Sequence, residues 1–336
     1  MNPLYSIVIA TRDRPELFAV ALSSVLRQRF EGAEIIVVDD GSRPELVPAY
    51  RVIIDHAQAM PGPRLRSFHL IRRPHGHGSS YATNYGVEQA QGEYICRLDD
   101  DDLWLDPLHL QRAAQLITKA RDSGRPIDLL MTNQEAVLRG EPVPGPIWIE
   151  ALQVQLRARG RVPDADGAFA VGVAELLGAG GFCHMNCLIV RRELYQRIGG
   201  MDETLRWEGD RDFFIRLLDA ADVMVHHPSV TSRHNVPDPQ AGSSVTTSFT
   251  ALERRMWQLR VLNKAVLFPK HPLLRAYGRQ HKAYALKRMA EEFASRRSWN
   301  SAAVFAAAGL AVRPTLGWFL YTLRCVLGKL LHPRSD

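Results

Sequence analysis

The stretch EYICRLDDDDLW, Glu93 to Trp104, reads as a short apolar strand that runs without a break into four consecutive carboxylates. Tyr94, Ile95, Cys96 and Leu98 suit a buried strand over residues 93–98. Asp99, Asp100, Asp101 and Asp102 repel one another and destabilise a strand end unless something neutralises them. A hard divalent cation does so, because Mg2+ or Mn2+ takes one or two protein carboxylates and fills its remaining positions with phosphate oxygens and water. Alternate residues of an extended segment share a side, which pairs Asp99 with Asp101. Taken alone, the run has a competing reading as a solvated acidic turn that caps the next helix.

Upstream, EIIVVDDGS repeats the pattern: an apolar strand over residues 34–38 stops at Asp39-Asp40-Gly41-Ser42. Asp and Gly are ordinary turn chemistry at such a place. The alternative is a carboxylate that accepts from a base N–H or a ribose hydroxyl. Around these two clusters the periodicities alternate. Strands are expected at residues 5–10, 34–38, 67–71, 93–98, 127–134, 182–190 and 222–227. Helices are expected at 15–28, 45–59, from about 80 to 90, at 106–124 and at 210–220. Strands alternating with helices imply a mostly parallel sheet with right-handed crossovers, and ligands then sit outside the carboxyl ends of the strands. Residues 74–80, 157–181 and 236–248 read as loops, the middle one lying over the site. No internal repeat is present.

The chain has 336 residues, of which 46% are hydrophobic and 23% charged, enough for a large core in one domain or two. Its four cysteines, Cys96, Cys183, Cys187 and Cys325, lack the spacing of a disulfide framework, which fits a reduced, cytoplasmic compartment. The first residues read as a strand rather than a signal peptide, and no apolar stretch is long enough for a spanning helix. The net charge of +6 is uneven: residues 251–336 hold 16 Lys/Arg and 4 Asp/Glu, leaving residues 1–250 at −6. A basic tail on an acidic body suits an anionic surface. From Ala251 onward the pattern is helical only. Leu316, Phe319, Leu320, Leu323, Val326, Leu327, Leu330 and Leu331 line one face of a helix, a face expected to be core, with peripheral membrane contact at the inner face of the cell membrane as the alternative. The expected division is a catalytic domain at 1–250 and a basic α-helical region at 251–336.

At this point the sequence resembles the family 2 glycosyltransferases, inverting and nucleotide-sugar dependent, which have the GT-A fold. The matching pieces are YSIVIATRDRPELFAVALSSVLRQ, EIIVVDDGS, GSSYATNYGVEQAQGEYICRLDDDDLW and FCHMNCLIVRRELYQRIGGMDETLRWEGDRDFFIRLLDA, in order over about residues 4 to 235. The resemblance implies an α/β fold, a Rossmann-like and mostly parallel sheet flanked by helices, with a helical C-terminal extension. It implies nucleotide contacts at Thr11, Arg12, Asp39, Asp40, Asn84, Asp99 and Asp100. Asp39 matches the carboxylate that reads the base, usually uracil, and Asp40 lies beside the ribose. Asp99 and Asp101 match the Asp-x-Asp signature, with Asp101 the direct ligand of Mn2+ or Mg2+, and His234 resembles a histidine that approaches the metal or the diphosphate. Asp210 matches the catalytic base. Gly181, His184, Trp207 and Glu208 fall on the acceptor side.

Two departures stand out. Where the family often has Glu-Asp at the base, this chain has Gly209-Asp210 with Glu208 one residue early, so Glu208 and Asp212 remain alternatives. Where the family favours Ala-Arg-Asn, it has Ala82-Thr83-Asn84, so a cation for the phosphates is missing or comes from Arg12, His75 or His77. The expected activity is a metal-dependent transfer, of hexosyltransferase type, from a nucleotide diphosphate sugar (a UDP-sugar first) to a hydroxyl of a glycan or lipid-linked acceptor in cell-surface polysaccharide or glycolipid synthesis. A metal-dependent nucleotidyltransferase and a non-catalytic binding module on the same fold are the alternatives. ATRDRPE lacks the glycine-rich triphosphate loop that the first would need. Nucleic acid is not an expected partner, because the tail carries no recognised nucleic-acid motif.

Overall fold

A computed structural model describes residues 2–145, 148–180, 182–238 and 249–332. Gly181, and residues 239–248 of the expected loop, lie outside the described residues. The chain divides into two compact units, Met1–Ala241 and Gly242–Asp336.

The first unit opens with β1 (Tyr5–Thr11), α1 (Pro15–Leu26), β2 (Ala33–Asp39), α2 (Val47–Ala59), β3 (Arg64–His69), α3 (Ser79–Glu88) and β4 (Tyr94–Arg97). The four strands are parallel in the order β3-β2-β1-β4. Pro15 sits in the first turn of α1, where its missing N–H costs nothing. Ile7, Ile9, Ile35 and Val37 pack with Phe18, Leu22 and Val25 of α1, all within 1% of full burial. The other face meets α3 through Gly86. A Cβ there would stand 2.6 Å from Val8 Cγ1, so only glycine lets the helix come this close. Burial on both faces explains why β1 and β2 read as nearly continuous apolar runs, whereas β3, at the sheet edge, alternates.

The unit continues with β5 (Leu103–Trp104), α4 (His109–Asp122), β6 (Leu129–Leu138), β7 (Glu141–Pro142), α5 (Leu152–Ala158), β8 (Phe169–Val171), α6 (Val173–Gly178), β9 (Leu188–Arg191), α7 (Arg192–Arg197), α8 (Gly209–Ala220) and β10 (Met224–Asn235). Antiparallel β9 fits between β4 and β6, and β10 runs parallel to β6. The sheet is thus mixed but mostly parallel, flanked by helices.

Several expectations differ from the structure. The expected loop over residues 157–181 contains the end of α5, then β8 and α6, whose 7, 3 and 6 residues are too short to set up a period. The expected strand over 182–190 is a 3-10 turn, Met185–Cys187, followed by β9. The turn is drawn out of the sheet because Asn186 reaches across to the acidic run. The last strand does not stop at His227. It continues to Asn235 through a bulge between His226 and Val230, where Pro228 has no N–H to give the ladder.

The second unit is α9 (Ala251–Leu267), α10 (Pro272–Ser295), α11 (Trp299–Val312) and α12 (Leu316–Leu331). Its core joins Ala290, Ala302, Ala303 and Ala306 to Trp318 and Cys325. That core corrects the reading of α12. The inward stripe is Trp318, Thr322 and Cys325, and the leucine-rich face points outward. Small alanines on α10 and α11 leave room for a tryptophan, so the aromatic rather than the leucines fills the interface. Among the described residues no helix is long and apolar enough to cross a membrane.

Candidate active site

Parallel pairing brings Thr11 level with Asp39 and Asp39 level with His69, so the ends of β1, β2 and β3 share one edge of the sheet. The run from Asp99 to Asp102 leaves β4 at the same edge. Asp39 is buried; its Oδ1 accepts from the Ser42 N–H at 2.9 Å and the Ser42 hydroxyl at 2.6 Å, and its Oδ2 lies 2.8 Å from His69 Nδ1. Asp40 accepts from the N–H groups of His77 and Gly78 at 2.8 and 2.9 Å, which ties the loop at residues 74–78 to the end of β2. Arg12 ties it from the other side, donating to the carbonyls of Arg73 and Pro74. Gly76 has φ +65°, and a Cβ there would stand 2.4 Å from Asp40 Oδ2, so this closure requires glycine.

The four carboxylates have four different environments. Asp99 ion-pairs with Arg97 and lies 3.7 Å from His184 Nε2. Burial pushes its carboxyl up, but Arg97, His184, His234 and Arg14 outweigh this and hold it below the usual range. Asp100 turns inward, 1% exposed, accepting from the Thr11 hydroxyl at 2.6 Å and from Arg14. Burial pushes it up to about 7 despite Arg14. Asp101 accepts from Arg14 Nη1 at 2.7 Å, and burial with its acidic neighbours raises it. Asp102 is enclosed: Oδ1 accepts from the Asn235 N–H at 2.7 Å, and Oδ2 accepts from Asn186 Nδ2 at 2.6 Å and lies 2.8 Å from His234 Nδ1.

Arg14 is the residue the sequence reading missed. Asp13, at φ +56°, bends the chain after β1 and aims Arg14 at the acidic run. The Arg14 N–H donates to the Tyr50 hydroxyl, which also meets Thr11, so guanidinium, hydroxyls and Asp100 form one network. Asn186 is the second omission, since its Oδ1 also accepts from the Asp99 N–H at 3.0 Å. A basic residue after the first strand was a visible signal for Arg14. A lone Asn in an apolar segment gave none.

The ligand atoms of Asp102, His184 and His234 lie within 4.8 Å of one another. Trp148 packs over both imidazoles, at 5.5 Å from His184 and 5.3 Å from His234. Among the described residues, buried His184 Nδ1 has no hydrogen-bond partner. Burial holds His184 below its ordinary range, with Asp99 opposing, whereas the bond to Asp102 raises His234 against the effect of burial. One carboxylate and two imidazoles fit a divalent transition metal. The converging set differs from the Asp99, Asp101 and His234 grouping expected from sequence. Here Asp99 and Asp101 hold Arg97 and Arg14, and His184 joins the cluster from the acceptor-side set.

Other expected contacts are also redirected. Thr11 and Asp100 bond to each other. Asn84 uses all its capacity internally: Nδ2 donates to the Met201 carbonyl and Glu203, and Oδ1 accepts from the Tyr195 hydroxyl and the Met201 N–H. It braces the turn that leads to α8. The three acids around α8 separate in the same way. Glu208, in the left-handed region at φ +62°, ion-pairs with Arg211. Asp212 is 2% exposed and accepts from Arg216 Nε at 2.8 Å. Asp210, in the first turn of α8, accepts from the Arg211 N–H and acts electrostatically on His184. Trp207 is half-buried immediately before this turn. Cys183 and Cys187 are buried thiols whose ionisation burial suppresses, which leaves them packing roles.

Comparison with known proteins agrees with this architecture. Residues 6–125 match the model of Glycosyl transferase family 2. An Escherichia coli K12 protein named "Putative colanic acid biosynthesis glycosyl transferase WcaA" is 34% identical over 122 residues, 35% of this chain and 41% of the relative. An uncharacterized glycosyltransferase of Haemophilus influenzae is 22% identical over 218 residues, 64% of this chain and 62% of the relative. The chain therefore spans less than two thirds of either relative. Among solved structures, S. aureus TarS 1-349 in complex with UDP-GlcNAc superposes with a TM-score of 0.61 at 17% identity, covering 96% of this chain and 79% of TarS 1-349. The mannosyltransferase PcManGT from Pyrobaculum calidifontis, in complex with GDP-Man and Mn2+, gives 0.56 at 18% identity, covering 99% of this chain and 82% of that one. At such identities the likeness speaks for the GT-A fold. Together with the matched residues and the two acidic strand ends, it leads to one conclusion: residues 6–125 are similar to Glycosyl transferase family 2 and sit in a GT-A fold.

Proposed function

We propose that the chain is an inverting, metal-dependent hexosyltransferase that takes a nucleotide diphosphate sugar, a UDP-sugar first, and delivers the sugar to a hydroxyl in cell-surface polysaccharide or glycolipid synthesis. The observation that carries this reading is the gathering at one sheet edge of Asp39 and Asp40, the Asp99 to Asp102 run, the two imidazoles and Asp210. The names of the solved relatives support a nucleotide-sugar donor, and the colanic acid relative supports the polysaccharide setting.

Asp39 and Asp40 form the nucleoside end, and Arg12 with the 74–78 loop closes it. Asp102, His184 and His234 would hold the cation, with Asp101 at the donor side of the same cluster; two imidazoles favour Mn2+ over Mg2+. When bound, the metal supplies Lewis-acid stabilisation of the charge that develops on the departing diphosphate. Arg14 and Arg97 offer further positive charge near that diphosphate. Asp210 accepts the proton of the acceptor hydroxyl while that oxygen bonds to the anomeric carbon and the bond from that carbon to the β-phosphate oxygen breaks. A single displacement on the opposite face inverts the configuration. The basic helical unit adds electrostatic contact with the anionic face of a membrane, where a lipid-linked acceptor resides.

The test is proton NMR of the sugar product formed from an α-linked UDP-sugar with Mn2+. A β-configured product, absent with Asp210→Asn although that variant still binds the donor, supports the reading. A retained α-product, or wild-type turnover by Asp210→Asn, removes it.

A further inference from the structure

The outward face of α12 is the largest set of exposed apolar side chains in the second unit. Leu316, Phe319, Leu320, Leu323, Leu327 and Leu331 are 76, 52, 56, 47, 49 and 74% exposed, and Val326 and Leu330 join them. At 3.6 residues per turn these eight cover an arc of about 140°. A soluble helix normally turns such an arc into its core. Here the core side of α12 is already filled by Trp318, Thr322 and Cys325. The helix is capped as a separate element, the Thr315 hydroxyl accepting from the Trp318 N–H at 3.2 Å.

The charge around it is one-sided. Residues 293–335 contain Arg296, Arg297, Arg313, Arg324, Lys329 and Arg334 and no acidic residue. Two candidate occupants follow from an apolar arc: a second copy of this chain or a lipid surface. A second copy would bring two strongly basic units together, and like charges oppose that contact. A bilayer containing anionic lipid offers acyl chains to the leucines and head groups to the arginines. With 16 residues, α12 spans about 24 Å, which suits lying in the interface and does not cross the membrane.

We propose that α12 is an in-plane membrane anchor whose apolar arc inserts among the acyl chains of an anionic bilayer. This deepens the electrostatic membrane contact proposed above and rests on it, adding a hydrophobic component assigned to named residues.

The experiment is flotation of the full chain with phosphatidylcholine vesicles with and without phosphatidylglycerol, at low and high salt. Wild type is expected to float with phosphatidylglycerol vesicles and to keep part of that binding at high salt. Leu320→Asp with Leu327→Asp is expected to lower the partition coefficient by roughly 100-fold, with helicity by circular dichroism and UDP-sugar binding unchanged. Leu323→Trp supplies a check that does not depend on losing function: its fluorescence is expected to be quenched by brominated lipid beyond the level of wild type. If the double variant floats as wild type does, or all binding is lost at high salt, insertion of α12 is overturned while the electrostatic contact stands. If wild type does not float, both fail. If the double variant instead turns a dimer into a monomer, a second copy is the occupant and the anchor is overturned.

Discussion

Asp102 and His234, 132 residues apart in sequence, meet through a 2.8 Å contact between Oδ2 and Nδ1. The bulge in β10 makes this contact, because only the continuation of the strand past His227 carries the His234 imidazole to the end of β4. It also sets the first prediction. Asp102→Asn keeps the shape and loses the charge, and His234→Gln keeps the length and loses the imidazole. Each is expected to weaken Mn2+ binding by roughly 10- to 100-fold or more, measured by loss of the free Mn2+ signal in an electron paramagnetic resonance titration. Unchanged affinity in both variants would remove the Asp102, His184 and His234 cluster as the metal site.

Arg14 neutralises Asp100 and Asp101. Arg14→Ala leaves a buried carboxylate without its cation, a loss on the order of 3 kcal/mol when the charge stays uncompensated. Asp100, already pushed up to about 7, is expected to protonate and reduce that cost. A double-mutant cycle of Arg14→Ala with Asp100→Asn, followed by urea denaturation, is expected to show strong coupling. Additive effects would mean that the pair does not hold the acidic run together.

Asp210 and Asp212 lie two residues apart and are expected to fail in different ways. Asp212→Asn removes the partner of Arg216, whose Nη1 also holds the carbonyls of Ile198 and Gly200, so the midpoint of thermal unfolding falls. Asp210→Asn leaves the midpoint nearly unchanged and removes transfer. The reverse pattern would give the base role to Asp212.

Two buried histidines set an acid limit on stability. Burial lowers His109 and His226 from 6.5 to about 4. In each case the unfolded chain binds a proton that the folded chain does not, so this stabilisation is complete above pH 6.5 and is lost as pH falls toward 4. A shift of that size corresponds to roughly 3 kcal/mol per histidine. His109→Gln and His226→Gln are expected to flatten the fall in unfolding midpoint between these pH values relative to wild type. Parallel curves would show that other groups carry the acid sensitivity.

The parallel half of the fold was legible because residues 5–10, 34–38 and 93–98 are largely buried and so are mostly apolar. The antiparallel half was less legible. β5, β7 and β8 have 2, 2 and 3 residues, too few for a period, and β9 follows a turn pulled out of line by Asn186. Within the site, the acidic clusters announced themselves because four adjacent carboxylates demand a partner. Their allocation did not. Which carboxyl faces Arg14, which faces His234 and which bonds to Thr11 depends on how the end of β10 and the turn after β1 arrive, and neither is local in sequence. Asn84 shows the same limit, since a polar residue at a motif position can be consumed by internal bonds that only the fold reveals. The leucines of α12 gave the right period and the wrong side, because alanines on α10 and α11 make space for Trp318.

The central claim is a donor held through a cation at the acidic run. Isothermal titration of a UDP-sugar into wild type and Asp102→Asn, each with Mn2+ and again with chelator, tests this claim. Wild type is expected to bind with Mn2+ and at least about tenfold more weakly with chelator, and Asp102→Asn is expected to show the weak binding whether or not Mn2+ is present. Equal donor affinity under all four conditions would contradict it.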